Sequence, residues 1–344
     1  MSEASFDHWA FFANAAQRMD APLYATLARA IVDDDALRAL AGKHRPGQPP
    51  PNLLFAAVHY LLLRGADHPL RAFYATLNGG IAGCGDPLPA FRDFCKIYRD
   101  EILALVATRV TNTNEVGRTA ILHAGFRELA KHAQAPFHLI EIGPSAGLNM
   151  IWDHYGARYV KDGKTVAAVN SDAPLVVTCE LRGDHVPPVG PAPTIASRVG
   201  LELHPVDLCE PDARDWLKAL VWPDHPARFA QLEKALAIVR DYPLNIIPGD
   251  ALENLIDALR AVPPDQTVCV YHTIAIYQFS TAMKAALDDI LMVAGLRRPV
   301  WRLSMEELRG HGGEVHLTRY SDGVTDETLI GRCHSHGAWL EWLG

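Results

Sequence analysis

The sequence has no long apolar run. Its longest, Leu53 to Leu63, is broken by His59. A run of that length reads as a buried helix, whereas a bilayer span needs about 20 residues, so no transmembrane segment is expected. There is no close Cys-x-x-Cys pair either. The six cysteines, Cys84, Cys95, Cys179, Cys209, Cys269 and Cys333, are scattered, which argues against a zinc ribbon or a disulfide scaffold and for reduced thiols in a cytoplasmic protein. Basic excess is missing: 32 basic residues stand against 40 acidic ones, a net charge of −8. Neither nucleic acid nor an anionic membrane is an expected partner. The segment Met1 to Ala10 lacks a basic n-region and carries Glu3 and Asp7, so it does not read as a secretory signal.

What is present is ample material for a core. The composition is 49% hydrophobic and 21% charged over 344 residues, which excludes a disordered chain. At about 150 residues per domain, the length suggests two domains. Up to residue 134 the periodicity is helical. Phe11, Phe12, Ala15, Ala16 and Met19 share one face, and Leu23, Leu27, Ala30 and Ile31 share another. The Pro49-Pro50-Pro51 stop should precede a helix capped by Asn52. Arg92 to Val110 and Asn114 to Leu129 read as further helices. After Pro136 strands and helices alternate: Phe137–Ile142, Arg198–Leu203, Leu244–Ile247, Thr267–Tyr271 and Pro299–Leu303 are strand candidates. Extended pairs are expected over Ala167–Arg182 and over the tail, Glu314–Tyr320 with Leu329–Leu340. The expected fold is therefore α/β. A doubly wound, mostly parallel sheet over residues 135–344 closes with an antiparallel C-terminal hairpin and follows an all-α cap over residues 1–134.

One turn stands out: Glu141-Ile-Gly143-Pro-Ser145-Ala-Gly147-Leu-Asn149. A glycine turn between a strand and a helix lets a ligand approach the backbone and aims helix N–H groups at it. The spacing E-x-G-x-S-x-G resembles the first motif of class I S-adenosylmethionine-dependent methyltransferases, E/D-x-G-x-G-x-G, with Ser145 in place of the middle glycine. That resemblance implies a Rossmann-like fold and S-adenosylmethionine as cofactor, with Glu141, Gly143, Ser145 and Gly147 around its methionine moiety. It also implies an acid at the end of the second strand that binds the ribose hydroxyls. Glu202 is preferred for that role, with Glu180 as its rival. A further implication is an aspartate after the third strand near the adenine, which Asp250, followed by Ala251, supplies. His272, ending the Val268–His272 strand, is a candidate general base, and Tyr277 a candidate for the acceptor site. No N/D-P-P-Y/F motif stands there, so a nucleobase amine is not the expected substrate.

Each of these residues has a plainer reading. Asp250 is also a helix N-cap, and His272 is also a buried histidine orienting a loop. Asn114 and Arg118, beside Glu115, are candidates for lining a substrate pocket or for docking a helix. Gly143-Pro-Ser145-Ala-Gly147 also fits the G-x-S-x-G elbow of a serine hydrolase, with Asp250 and His272 or His334 completing a triad. His334 and His336, with His311 and His316, are conceivable metal ligands, but no cysteine or carboxylate completes a set, so no metal is expected. His59 reads as a satisfied core histidine, Asp33-Asp-Asp35 as a helix end, and Trp222-Pro223 as packing at a helix break.

Over nearly its whole length the chain resembles a bacterial family of uncharacterised proteins, a group defined only as a domain of unknown function. The strings that carry this are Pro51-Asn-Leu-Leu-Phe-Ala-Ala-Val-His-Tyr-Leu-Leu62, Thr113-Asn-Glu-Val-Gly-Arg118, the Glu141–Asn149 turn and Leu220-Val-Trp-Pro223. The expectation is a cytoplasmic bacterial transferase for a small-molecule acceptor. The alternatives are a non-catalytic S-adenosylmethionine- or nucleotide-binding protein of the same fold and the serine hydrolase.

Overall fold

The computed structural model describes residues 7–134, 136–308 and 312–344. The chain runs through α1 (His8–Arg18), α2 (Pro22–Ile31), α3 (Asp35–Ala41), α4 (Pro50–Leu63), α5 (Leu88–Ile97), α6 (Arg99–Thr108) and α7 (Thr119–His132). Then come β1 (Phe137–Ile142), β2 (Gly156–Lys161), β3 (Lys164–Val169), β4 (Val176–Arg182) and β5 (Ile195–Glu202). They are followed by α8 (Pro211–Ala219), α9 (Pro226–Ile238), β6 (Ile246–Pro248), α10 (Ala251–Ala261), β7 (Thr267–Thr273), α11 (Thr281–Gly295) and β8 (Val300–Leu308). The chain closes with β9 (Gly312–Ser321), β10 (Val324–Cys333) and β11 (Trp339–Trp342).

Two compact units emerge. One takes the chain up to Thr113 together with Asp207–Glu233; the other takes Asn114–Val206 and Lys234–Gly344. This division differs from a single boundary after residue 134. Asp207–Glu233 joins the helices because Trp216 donates its Nε1–H to Val110 O at 2.9 Å and Asp212 accepts from both Tyr60 and Arg109. α7 joins the sheet because its small Gly125 and its Phe126 ring sit against strand side chains, Leu303 and Tyr271.

In the helical unit, local chemistry sets the helix starts. Asp7 caps α1 through the N–H groups of Trp9 and Ala10, and Asp34 caps α3 through Leu37. α4 begins differently from the expectation. Pro50 and Pro51 occupy its first turn, where their missing N–H groups cost nothing, and Asn52 lies inside the helix. The core gathers Phe12, Tyr24, Phe55, Phe91 and Trp216. Tyr24 stacks on Phe55 with ring centroids 4.3 Å apart, a contact worth about 1 kcal/mol beyond its buried area. His59 is the satisfied core histidine expected: Nδ1 meets Ala219 O at 3.1 Å and Nε2 meets Thr76 Oγ1 at 2.9 Å. Trp222, between α8 and α9, packs on Phe12 and Tyr24.

The sheet unit is a mixed α/β structure around one eleven-stranded sheet, ordered β3-β2-β4-β11-β10-β9-β8-β7-β1-β5-β6. β6, β5, β1, β7 and β8 run parallel, β9 returns antiparallel to β8, and β10 is antiparallel to β9. From β1 the chain steps outward to β5 and β6, then comes back to β7 on the other side of β1. The carboxyl ends of β1 and β7 thus form a topological switch point, the place where open α/β sheets bind ligands. Helices cover both faces of this part. α10 and α11 bury Ile140, Ile142, Val268 and Val270, while Phe126 of α7 meets Tyr271 on the opposite face. No described helix is long and apolar enough to cross a membrane, and all six cysteines are free.

Candidate functional site

The turn after β1 carries three residues in the left-handed region: Gly143 at φ +69°, Ser145 at +57° and Gly147 at +77°. Their close neighbours are protein. A Cβ on Gly143 would stand 2.8 Å from Ala275 Cβ, and one on Gly147 2.5 Å from Leu244 Cδ1. The element that follows is a 3-10 segment, Leu148–His154, kinked at Ile151. The expected α-helix start is absent because Asn114 Oδ1 takes the N–H of Leu148 at 2.9 Å and β2 begins at Gly156. The N–H groups of Gly143, Ser145, Gly147 and Leu148 are therefore satisfied within the protein. Ser145 itself is buried, and its Oγ has no hydrogen-bond partner.

The two rival acids separate clearly. Glu202 ends β5, beside β1, and its Oε2 accepts the backbone N–H of Ser145 at 2.8 Å while Oε1 accepts that of His204 at 3.0 Å. Glu180 lies in β4, beyond β11 and β10 in the sheet, and pairs with Arg182 at 3.3 Å. Asp250 follows β6 and caps α10, accepting from Leu252 N at 2.7 Å and Glu253 N at 3.3 Å, so Ala251 is the first residue of that helix. Glu141, Glu202 and Asp250 thus stand on or just past the carboxyl ends of three adjacent parallel strands, β1, β5 and β6.

Glu141 does not reach solvent. It is fully buried, with Oε2 accepting from Tyr271 OH at 2.9 Å. Burial pushes its carboxyl up to about 8, the Tyr271 hydroxyl and the Arg118 charge offsetting part of that rise. At neutral pH it is mostly protonated.

Around the end of β7 the structure revises one expectation. His272 is wholly buried and both ring nitrogens are engaged: Nδ1 with Glu306 Oε1 at 2.6 Å, Nε2 with Arg302 Nε at 3.0 Å. Because Arg302 donates to Nε2, Nδ1 carries the proton and donates to Glu306. Burial lowers the imidazole pKa, which keeps the ring neutral. A histidine held this way has no nitrogen left for a substrate proton, so it orients Glu306 and is not a general base in this arrangement. Glu306 Oε1 in turn accepts the N–H groups of Ala275 and Ile276 at 3.1 and 3.3 Å. It thereby fixes the turn that abuts Gly143 and follows Ile274, which has φ +51°, an uncommon value for a β-branched residue. The other oxygen of Glu306, Oε2, is buried without a partner.

Tyr277 sits in the 3-10 turn after β7, largely exposed. Arg118 donates Nε–H to Ser335 O and an Nη–H to Thr273 O, each at 2.8 Å, tying the β7 end to the β10–β11 turn. Its arrangement is that of a docking residue. Gly117 faces His336 O so closely that no side chain fits there.

Two other expectations change. Ser145 Oγ has no partner, His272 is held by Glu306 and Arg302, and Asp250 caps α10, so no Ser-Asp-His triad is assembled. His334 and His336 lie in a turn after β10 and not on a strand face, with His336 N donating to His334 Nδ1. His311 lies outside the described residues. No group of three or more potential ligands for a metal is found among the described residues.

Glu306, Arg302 and Tyr271 were missed by sequence reasoning. The strand reading stopped at Leu303, whereas β8 continues to Leu308. An acid at the end of the fifth parallel strand is the signal that would have found Glu306.

Against known proteins, the model of a family described as an uncharacterized protein conserved in bacteria (DUF2332) matches residues 7–342. The chain belongs to that family. No curated protein matches it. No solved structure matches it.

Proposed function

We propose that the carboxyl edge of β1, β5 and β6 binds S-adenosylmethionine and that the protein is a methyltransferase of the class I type for a small-molecule acceptor. One observation carries this reading: the three acids implied by the motif resemblance end three neighbouring parallel strands in the order β1, β5, β6, with Glu202 bonded to the turn itself. The strand order β6-β5-β1-β7-β8 around that edge supports it, since the chain reverses direction at β1.

The residues fit the nucleoside half of the cofactor. Each Glu202 oxygen accepts one backbone N–H and keeps a lone pair, so the carboxylate can still receive a ribose diol. Ser145 supplies a buried hydroxyl with its hydrogen-bonding capacity unused. Asp250 would accept from the adenine amino group, and the exposed Leu203, next after Glu202 in the chain, offers an apolar surface. When bound, the cofactor supplies a methyl group activated by a sulfonium. The protein's own contribution is positioning: Glu202 sets the sugar, the buried turn excludes water, and Glu306 fixes the Ala275–Ile276 turn beside it.

A second reading, a binding protein of the same fold without transfer, is favoured by one observation, the closed hydrogen bonding of His272. Calorimetric titration with S-adenosylmethionine and S-adenosylhomocysteine tests both readings. Binding of either, abolished by Glu202→Ala and kept by Glu180→Ala, supports the site. No binding by the wild-type protein rejects both readings. Formation of S-adenosylhomocysteine on incubation with small acceptors then separates the enzyme from the binder.

A further inference from the structure

α11 carries three charges, Lys284, Asp288 and Asp289, all before its last turn and a half, which is apolar on both faces. Its inner face buries Leu287, Leu291 and Gly295, and the missing side chain of Gly295 lets the helix approach Tyr320. Its outer stripe should be polar if it met only water. Instead it presents Ala282, Ala285, Met292, Val293 and Leu296, with Asp289 as its single charge before Arg297. Val293 is 63% exposed and Leu296 61%. The surface continues into a groove between α10 and α11 of about 530 Å³, with an apolar floor that includes Ile256, Leu259, Ile290 and Val293 and with Arg260, Asp289, Arg297 and Arg298 among its lining residues. It also reaches the β9–β10 hairpin tip, where Val324 is exposed and Gly323 lies beside Leu296.

We propose that this face is the two-fold interface between two copies of the chain. The charges indicate the occupant. Asp289 lies one helical turn before Val293, and Arg297 one turn after it. Among the described residues neither takes part in a side-chain hydrogen bond or ion pair, whereas the adjacent Asp288 is paired with Arg302. A two-fold axis through Val293 sets two α11 helices antiparallel. Asp289 then meets Arg297 of the partner subunit, and Arg297 meets Asp289 of the partner subunit. The same register places Leu296 of the partner subunit opposite Ile290, at the mouth of the groove. An isologous contact requires this self-complementarity, and the small side chains of Ala282 and Ala285 allow a close approach.

Sedimentation equilibrium of the full chain tests the proposal. The wild-type protein should be a dimer at micromolar concentration. Val293→Asp buries an unpaired charge at the axis and should raise the dimer dissociation constant at least about 30-fold. Asp289→Arg should weaken the dimer through like charges, and the double exchange Asp289→Arg with Arg297→Asp should restore it. All these positions are on the surface, and circular dichroism checks that each variant folds. A monomeric wild-type protein, which would leave the face to another partner or a ligand, overturns the proposal. So does a dimer indifferent to Val293→Asp, or a double exchange that fails to rescue.

Discussion

The Glu202 carboxylate accepts the backbone N–H of Ser145 at 2.8 Å. An acid ending one strand therefore holds the turn that ends its neighbour. Removing it takes away a charge-assisted bond to a buried N–H. Glu202→Ala should cost about 2 kcal/mol in urea unfolding as well as the cofactor affinity. Glu180→Ala, on an exposed pair at the far side of the sheet, should change stability by less than about 1 kcal/mol. Equal losses for the two would detach Glu202 from the turn.

Glu141 gives a pH signature. Its carboxyl rises from 4.5 to about 8 in the fold. Below pH 4.5 it is protonated in both states, and the fold's preference for the proton is fully effective. As pH rises toward 8 the unfolded chain ionises first, so that contribution is lost. Glu141→Gln carries no such dependence. Thermal melts should show the wild type losing stability relative to Glu141→Gln between pH 5 and pH 8. Parallel curves would contradict the burial of this carboxyl.

His59 gives the opposite signature in the helical unit. Burial lowers its pKa from 6.5 to about 4. Its contribution is present above pH 6.5 and is lost as pH falls through 4, because the unfolded chain takes up the proton first. A His59→Gln variant, compared with the wild type by urea unfolding at pH 7 and pH 4.5, should show a smaller acid loss. An identical loss would mean that other groups carry it.

Gly147 sits at φ +77° with Leu244 and Ile246 against it. Gly147→Ala combines a strained backbone with a clash and should cost about 2 kcal/mol or more. Gly163, also at positive φ but with nothing within 4 Å of a Cβ, should tolerate alanine at about 1 kcal/mol. Differential unfolding of the two variants separates packing from backbone strain.

Much of this arrangement was legible in the sequence. The helical half showed its 3.6-residue spacing, and β1, β5 and β7 stood out because strands buried on both faces read as apolar runs. The choice between Glu202 and Glu180 was not legible, because spacing along the chain favours Glu180; only the sheet order sets Glu202 beside the turn and Glu180 in β4. The antiparallel pairing of Glu314–Tyr320 is present as β9 with β10, whereas the pair expected over Ala167–Arg182 was misplaced, since β3 and β4 each pair with β2 and not with one another. Asp162-Gly163 and Asp322-Gly323 both adopt the positive φ pair of a tight hairpin turn, joining β2 to β3 and β9 to β10. The role of His272 was not legible, because it depends on Glu306 and Arg302, brought to it from a strand 30 residues or more away.

The most direct measurement is a crystal structure of the protein grown with S-adenosylhomocysteine. The account expects adenosine density at the carboxyl edge of β1, β5 and β6, with its ribose hydroxyls within hydrogen-bond distance of the Glu202 carboxylate and its adenine near Asp250. Density at any other place in the fold, or a saturated crystal with that edge unchanged and empty, would contradict it.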